Sequence, residues 1–138
     1  MPTITKKVFI KTTPEEVFDL LTRVEDFPLY CSYVKDIKKV SPGVYRWRVE
    51  FLTIPFEWEA RVIESKRPVR FAWESFSGVS NAGSYEIKPS ENGTAVTFKM
   101  EFHLEPGLLT IFSAPVFDRL ASKVAEELLR NIKKRLEA

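Results

Sequence analysis

From Tyr45 to Leu104 large apolar residues return at every second position, and from Phe117 onward they return at every third or fourth. A period of two sends side chains alternately to the two faces of a strand, whereas a spacing of three or four stacks them on one side of a helix. The chain thus carries several strands that are apolar on one face only, and one long helix to cover them. A sheet with one apolar face needs a second layer to bury it. A single helix covers a wide sheet only if the sheet curves around it. That geometry does not fill itself, and a cavity with aromatic walls is expected between the layers.

The strands can be read individually. Tyr45, Trp47, Val49 and Phe51 share a face opposite Arg46, Arg48 and Glu50. Ile54, Phe56, Trp58, Ala60 and Val62 share a face opposite Glu57, Glu59 and Arg61, and the short link at Thr53 joins the two runs as a hairpin. Further strands are predicted over VRFAWES, over AGSYEIK with Tyr85 and Ile87 together, and over TAVTFKMEFHL with Val96, Phe98, Met100, Phe102 and Leu104 together. VKDIKKVS is weak and basic, which suits a sheet edge where lysines discourage further pairing. SPG and SENG read as turns.

At the N-terminus ITKKVFIK alternates around Ile4, Val8 and Ile10. TTPEEVFDLL then opens a helix with Thr13 as N-cap, Pro14 at the first helical position and Glu16 placed for a capping box. A second short helix is predicted over DFPLYCSY. The C-terminal helix carries the stripe Leu120, Val124, Leu128, Ile132 and Leu136, flanked by Phe117, Ala121, Ala125 and Leu129. Its roughly 24 residues rise about 1.5 Å each. The expectation is an α+β fold over residues 1–138 as one domain: about seven antiparallel strands around a long terminal helix, with two short helices after the first strand.

The chain has 138 residues and a formal net charge of +2, too balanced for an evident nucleic-acid surface. It has no apolar run long enough to span a bilayer and a single cysteine, Cys31, so a cytoplasmic protein without disulfides is expected. His103 is the only histidine and falls on the polar face of its strand; with Cys31 it makes neither a metal cluster nor a nucleophile–base pair. Glu57 and Glu59 alternate with Arg61 and read as a solvated ion ladder. No motif calls for a cofactor or a metal, and no catalytic residue is identified.

Three segments carry a family resemblance: VFIKTTPEEVFDLLTRVEDFPLYCSYV; FAWESFSGVSNAGSYEIKPSENGTAVTFKMEF, with its W-x-S-x-x-G, G-x-Y and N-G-T-x-V patterns; and the terminal helix after GLLTIF. In this order and spacing the chain resembles the START-like, or helix-grip, superfamily of polyketide cyclase/dehydrase and lipid-transport proteins, which includes the Bet v-type pollen allergens. The resemblance implies a pocket under the long helix for lipids, quinones, polyketides or other flat hydrophobic molecules. It leaves three functions open: non-catalytic binding or transport of a hydrophobic small molecule, a cyclase/aromatase-type enzyme, or a ribosome-associated interaction module.

The wall of such a pocket falls to Tyr45, Trp47, Trp58, Trp73, Tyr85 and Phe98 on the strands, and to Leu120 and Val124 on the helix. A cavity of a few hundred Å³ or more is expected, the scale of ligand sites. Tyr45 and Tyr85 are its candidate polar handles, because a buried phenol needs a partner. Ser75, Ser77 and Asn81 cluster around Gly78 and read as a turn able to add hydrogen bonds. The apolar connector EPGLLTIFSAPVF is read as a lid, with Leu108, Leu109, Ile111 and Phe112 at the pocket mouth and available for transient contact with a membrane surface.

Overall fold

The computed structural model describes residues 3–103, 105–109 and 113–138, the side chains of Leu108 and Leu109 excepted. Strand β1 (Thr3–Ile10) leads into helix α1 (Pro14–Leu21) and a 3₁₀ helix (Val24–Leu29). Then come β2 (Val34–Ser41), β3 (Val44–Phe51), β4 (Ile54–Lys66), β5 (Arg70–Gly78), β6 (Ser80–Ser90) and β7 (Gly93–His103). A short helix α2 (Pro106–Leu109) precedes the 24-residue helix α3 (Ala114–Glu137).

The seven strands form an antiparallel sheet in the order β1-β7-β6-β5-β4-β3-β2. Each strand from β2 to β7 pairs with its sequence neighbours, while β1 closes beside β7, from Thr3 opposite Glu101 to Ile10 opposite Thr94. The segment between β1 and β2 must therefore cross from one sheet edge to the other. This is the helix-grip arrangement expected from one long helix and a one-sided sheet, with lysine-rich β2 at the edge.

The local signals act much as read, with three differences. Thr13 caps α1, its Oγ1 accepting from Glu16 N at 3.2 Å. The Glu16 carboxylate does not return to the cap, however; it accepts from the hydroxyl of Thr12. The second helix starts and ends earlier than expected and is 3₁₀. Pro28 lies inside it, and a proline there has no N–H and crowds an α-helical turn, which a short 3₁₀ segment avoids. The connector EPGLLTIFSAPVF overlaps α3 at its end, where Pro115 lies in the first helical turn behind the N-cap Ser113.

Helix α3 buries Phe117, Ala125, Leu128, Leu129 and Ile132, while Leu120, Val124 and Leu136 are only half-buried. The inward face is thus rotated from the predicted stripe. Residues spaced by four drift about 40° per step on a helix of 3.6 residues per turn, so a strict i+4 line winds off the buried side. Polar ties hold the helix along both flanks. Toward β1, Lys6 pairs with Glu126 at 2.8 Å, and Lys133 donates to the Phe9 carbonyl at 2.5 Å. Toward the crossing segment, Asn131 donates to the Tyr30 carbonyl at 2.7 Å, and Glu127 accepts from the backbone and hydroxyl of Ser32 at 3.1 and 3.0 Å.

The β3–β4 hairpin turns through Leu52 and Thr53 alone, with φ of 50° and 69°. Two positive values mark the tight turn that favours Asn-Gly, and a branched residue there is strained by roughly 1–2 kcal/mol. Leu52 is also 74% exposed, so burial does not offset that strain. Replacing Leu52–Thr53 by Asn-Gly is expected to raise folding stability by about 1 kcal/mol. Urea denaturation reads this directly, and a loss of stability would show that Leu52 makes a compensating contact.

Candidate functional site

The concave face of the sheet meets α3 through two groups of rings. One group is Phe51, Phe56, Phe102 and Phe117, where Phe117 of α3 approaches the other three at centroid distances of 6.4, 6.1 and 5.1 Å. The other is Trp73, Tyr85 and Phe98, mutually 5.3–6.1 Å apart. Trp47 and Trp58, directly paired across β3 and β4, stack at 5.6 Å with planes 12° apart, and Phe27 of the 3₁₀ helix meets Trp47 edge-on at 5.7 Å.

These rings border a cavity of about 100 Å³ whose walls are almost entirely carbon. Tyr45, Trp47, Trp58, Trp73, Tyr85, Phe98 and Val124 all line it. Leu120 does not, because the drift of the i+4 line carries it toward solvent. Leu109 and Phe112, with Leu108 and Ile111, lie outside the described side chains. The volume falls short of the few hundred Å³ expected. The four phenylalanines interlock instead of leaving one continuous trough, and Phe27 adds a ring on the remaining side.

Several lining residues were not singled out from the sequence. Phe51, Phe56, Met100 and Phe102 follow the same alternation as the chosen rings, so the signal for them was present. Phe27 had no such signal, since a six-residue 3₁₀ helix is too short to show a period. Ala121 and Ala125 give α3 its shallow side, and their small size is what leaves room beneath the helix.

A further device is a missing side chain. A Cβ on Gly83 would lie 2.4 Å from Cζ2 of Trp73 and 2.7 Å from the Lys99 carbonyl. The absent methyl lets the Trp73 indole lie across β6. There its Nε1 donates to Asn81 Oδ1 at 3.2 Å, while Asn81 Nδ2 donates to the Val79 carbonyl at 3.0 Å. Asn81 N in turn donates to Ser75 Oγ at 2.8 Å. The cluster around Gly78 is thus spent on holding Trp73 in place, and Ser77 is exposed.

Among the described residues, two buried side-chain donors have no partner: the Tyr85 hydroxyl and Trp58 Nε1. Both residues line the cavity. An unsatisfied buried polar group is unfavourable by about 1–3 kcal/mol. Burial, with a smaller push from nearby Cys31, holds the Tyr85 phenol far above its usual range, so it stays protonated and can donate. Tyr45, the other expected handle, is half-buried at the cavity edge; burial and the Glu25 carboxylate both raise its pKa. Burial, with help from Glu127, also raises the Cys31 thiol against two backbone donors, and its Sγ lies 3.8 Å from the Val124 carbonyl. Arg61 reaches the cavity lining, but its guanidinium sits 3.3 Å from Glu74 and over the Phe76 ring. His103 is exposed, and no cluster of metal-ligating side chains occurs among the described residues.

A family model described as polyketide cyclase/dehydrase and lipid transport matches residues 1–137. A protein from Thermus thermophilus superposes with a TM-score of 0.85 at 19% identity, over 98% of this chain and 97% of its own. A START superfamily protein from Mycobacterium smegmatis superposes at 0.81 with 16% identity, over 98% and 97%. The Zhui aromatase/cyclase from Streptomyces sp. R1128 superposes at 0.78 with 11% identity, over 99% and 93%. At these identities the likeness speaks for the fold alone. No curated protein matches the sequence.

The Gly83 contact gives a direct test of how the wall is built. Gly83→Ala is expected to displace the Trp73 ring and lower stability by about 1–3 kcal/mol, as overpacking does. Near-ultraviolet circular dichroism and denaturant melts together read the two effects. An unchanged tryptophan signal at full stability would mean the ring does not need the space.

Proposed function

The chain belongs to the polyketide cyclase/dehydrase and lipid transport family, and on that premise we propose that it binds and carries a hydrophobic small molecule without transforming it. The observation that carries this reading is the aromatic cavity itself, left open beneath the small residues Ala121 and Ala125 of α3 where larger side chains would have closed the core. In this reading residues 1–138 act as one domain, and Tyr45, Trp47, Trp58, Trp73, Tyr85, Phe98 and Val124 contact the ligand. General acid–base chemistry needs a group that exchanges a proton near the working pH. The described titratable groups at the cavity favour their protonated forms or, like Arg61, face outward into an ion pair. That weighs against the cyclase-type alternative. The outer sheet face carries Arg46–Glu59, Arg61–Glu74 and Arg70 between Glu64 and Glu86, and such self-neutralised rows offer little to an anionic ribosomal surface.

A cavity of about 100 Å³ must widen to admit a lipid-sized ligand. The connector before α3 is the part assigned to opening, with Leu108, Leu109, Ile111 and Phe112 as the lid. Exposed Leu52 and Val116 share one end of the molecule, where their chain neighbours Phe51 and Phe117 meet ring to ring. This end of the molecule is assigned to transient contact with a lipid surface.

Two measurements test the reading. Titration with the neutral apolar dye N-phenyl-1-naphthylamine is expected to give saturable binding that Ala121→Phe abolishes with little change in Tm. Dye binding untouched by the filled cavity would place it elsewhere and end the reading. The Asn-Gly replacement of Leu52–Thr53 is expected to reduce co-sedimentation with phosphatidylcholine vesicles, because a large apolar group buried in lipid contributes about 1.5–3 kcal/mol. Unchanged sedimentation would remove Leu52 from the contact.

A further inference from the structure

We infer that the cavity has a side port where strands β5 and β6 part, latched by the Asn81 side chain, through which a hydrophobic ligand exchanges with solvent. The inference rests on the binding reading above and adds a route to it, apart from the connector before α3. β6 pairs with β7 over eleven positions, from Ser80–His103 to Ser90–Gly93. With β5 it pairs over only five, from Arg70–Glu86 to Glu74–Ala82. Beyond that point β5 keeps to β4, with Ser75 opposite Ala60 and Gly78 opposite Trp58, while Ser80 and Asn81 keep to β7. The turn itself belongs to the β4 side. Val79 N donates to the Glu57 carbonyl at 3.2 Å, and a Cβ on Gly78 would collide with that same oxygen. The hairpin end is therefore divided between two ladders.

A second hollow, of about 170 Å³, lies in this gap. Its lining draws on both faces of the sheet: Glu74, Ala82 and Glu101 from the outer face, Ser75, Asn81 and Phe102 from the inner one. Successive residues of a strand point to opposite faces, so one hollow reaches both only where the sheet is open. Asn81 and Phe102 also line the aromatic cavity, so the same two side chains wall both spaces. The ties around the gap are made with side chains. Asn81 N donates to Ser75 Oγ, Asn81 Nδ2 donates to the Val79 carbonyl, and Asn81 Oδ1 accepts from Trp73 Nε1. These bonds stand where a backbone ladder would continue, and a segment held by few bonds opens locally without unfolding the sheet. Swinging the Asn81 side chain aside breaks two of them and joins the cavity to the outer hollow. Helix α3, tied down on both flanks, need not move.

Stopped-flow mixing with N-phenyl-1-naphthylamine reads the port. A latch changes entry and exit rates together and leaves Kd in place, whereas a ligand contact changes Kd. Asn81→Ala removes two of the ties and is expected to speed association and dissociation each by about tenfold. Ser75→Ala removes the third; it is expected to speed both by a smaller factor, and it carries the test if the Asn81 variant does not fold. Ala82→Phe fills the outer hollow from the face away from the cavity. Added to either latch variant, it is expected to restore the slow rates without changing Kd. Unchanged rates in the latch variants overturn the inference, as does an acceleration that survives Ala82→Phe or a Kd that shifts with only one of the two rates. In each of those outcomes saturable dye binding leaves the binding reading standing. Dye that fails to saturate overturns both.

Discussion

The arrangement depends on one contact, the seating of α3 in the hollow of the sheet. Phe117, Ala125, Leu128 and Ile132 supply its apolar side. Ties from Lys6, Phe9 and Tyr30 fix it from both flanks. These partners lie about 100 or more residues from their mates in sequence, so they form only once β1 has closed beside β7 and the crossing segment has reached β2. Individually these bonds are modest, and several are exposed. Their effect is positional: they hold a helix with small residues on part of its inner face over a wall of large rings, and the mismatch leaves space.

The residues around that space are less well satisfied than the rest of the core. Tyr85 and Trp58 retain polar groups without partners, whereas Trp73, its ring centroid 5.5 Å from that of Tyr85, has its nitrogen engaged by Asn81. Gly83 sacrifices strand propensity so that the Trp73 ring can lie flat. At the hairpin tip, Leu52 holds a strained backbone while showing most of its surface to solvent. Each is a local departure from the most stable choice, and each borders or flanks the same cavity. Such departures concentrate where a site is built.

Much of this was legible from residue order. Alternation located the strands and identified their apolar faces, the Thr13–Pro14 start located α1, and lysines marked β2 as an edge. The same alternation named half of the cavity's rings, because residues at every second position on neighbouring strands necessarily share the concave face. Where the reading missed, the cause was geometric. The i+4 line of α3 winds around its helix, which removed Leu120 from the lining; Pro28 changed the kind of helix around it.

The sequence by itself determined the elements, their inward faces and the aromatic character of the concave surface, since these follow from local period and steric preference. It did not determine the volume left between the layers, nor which buried donors go without a partner. Those depend on how side chains from β3, β5, β6, β7 and α3 meet, and hydrogen-bond satisfaction is a property of neighbours brought together by folding. Trp73 and Trp58 look alike as residues in alternating strands. Only the tertiary structure sets Asn81 beside one of them and leaves the N–H of the other unpaired.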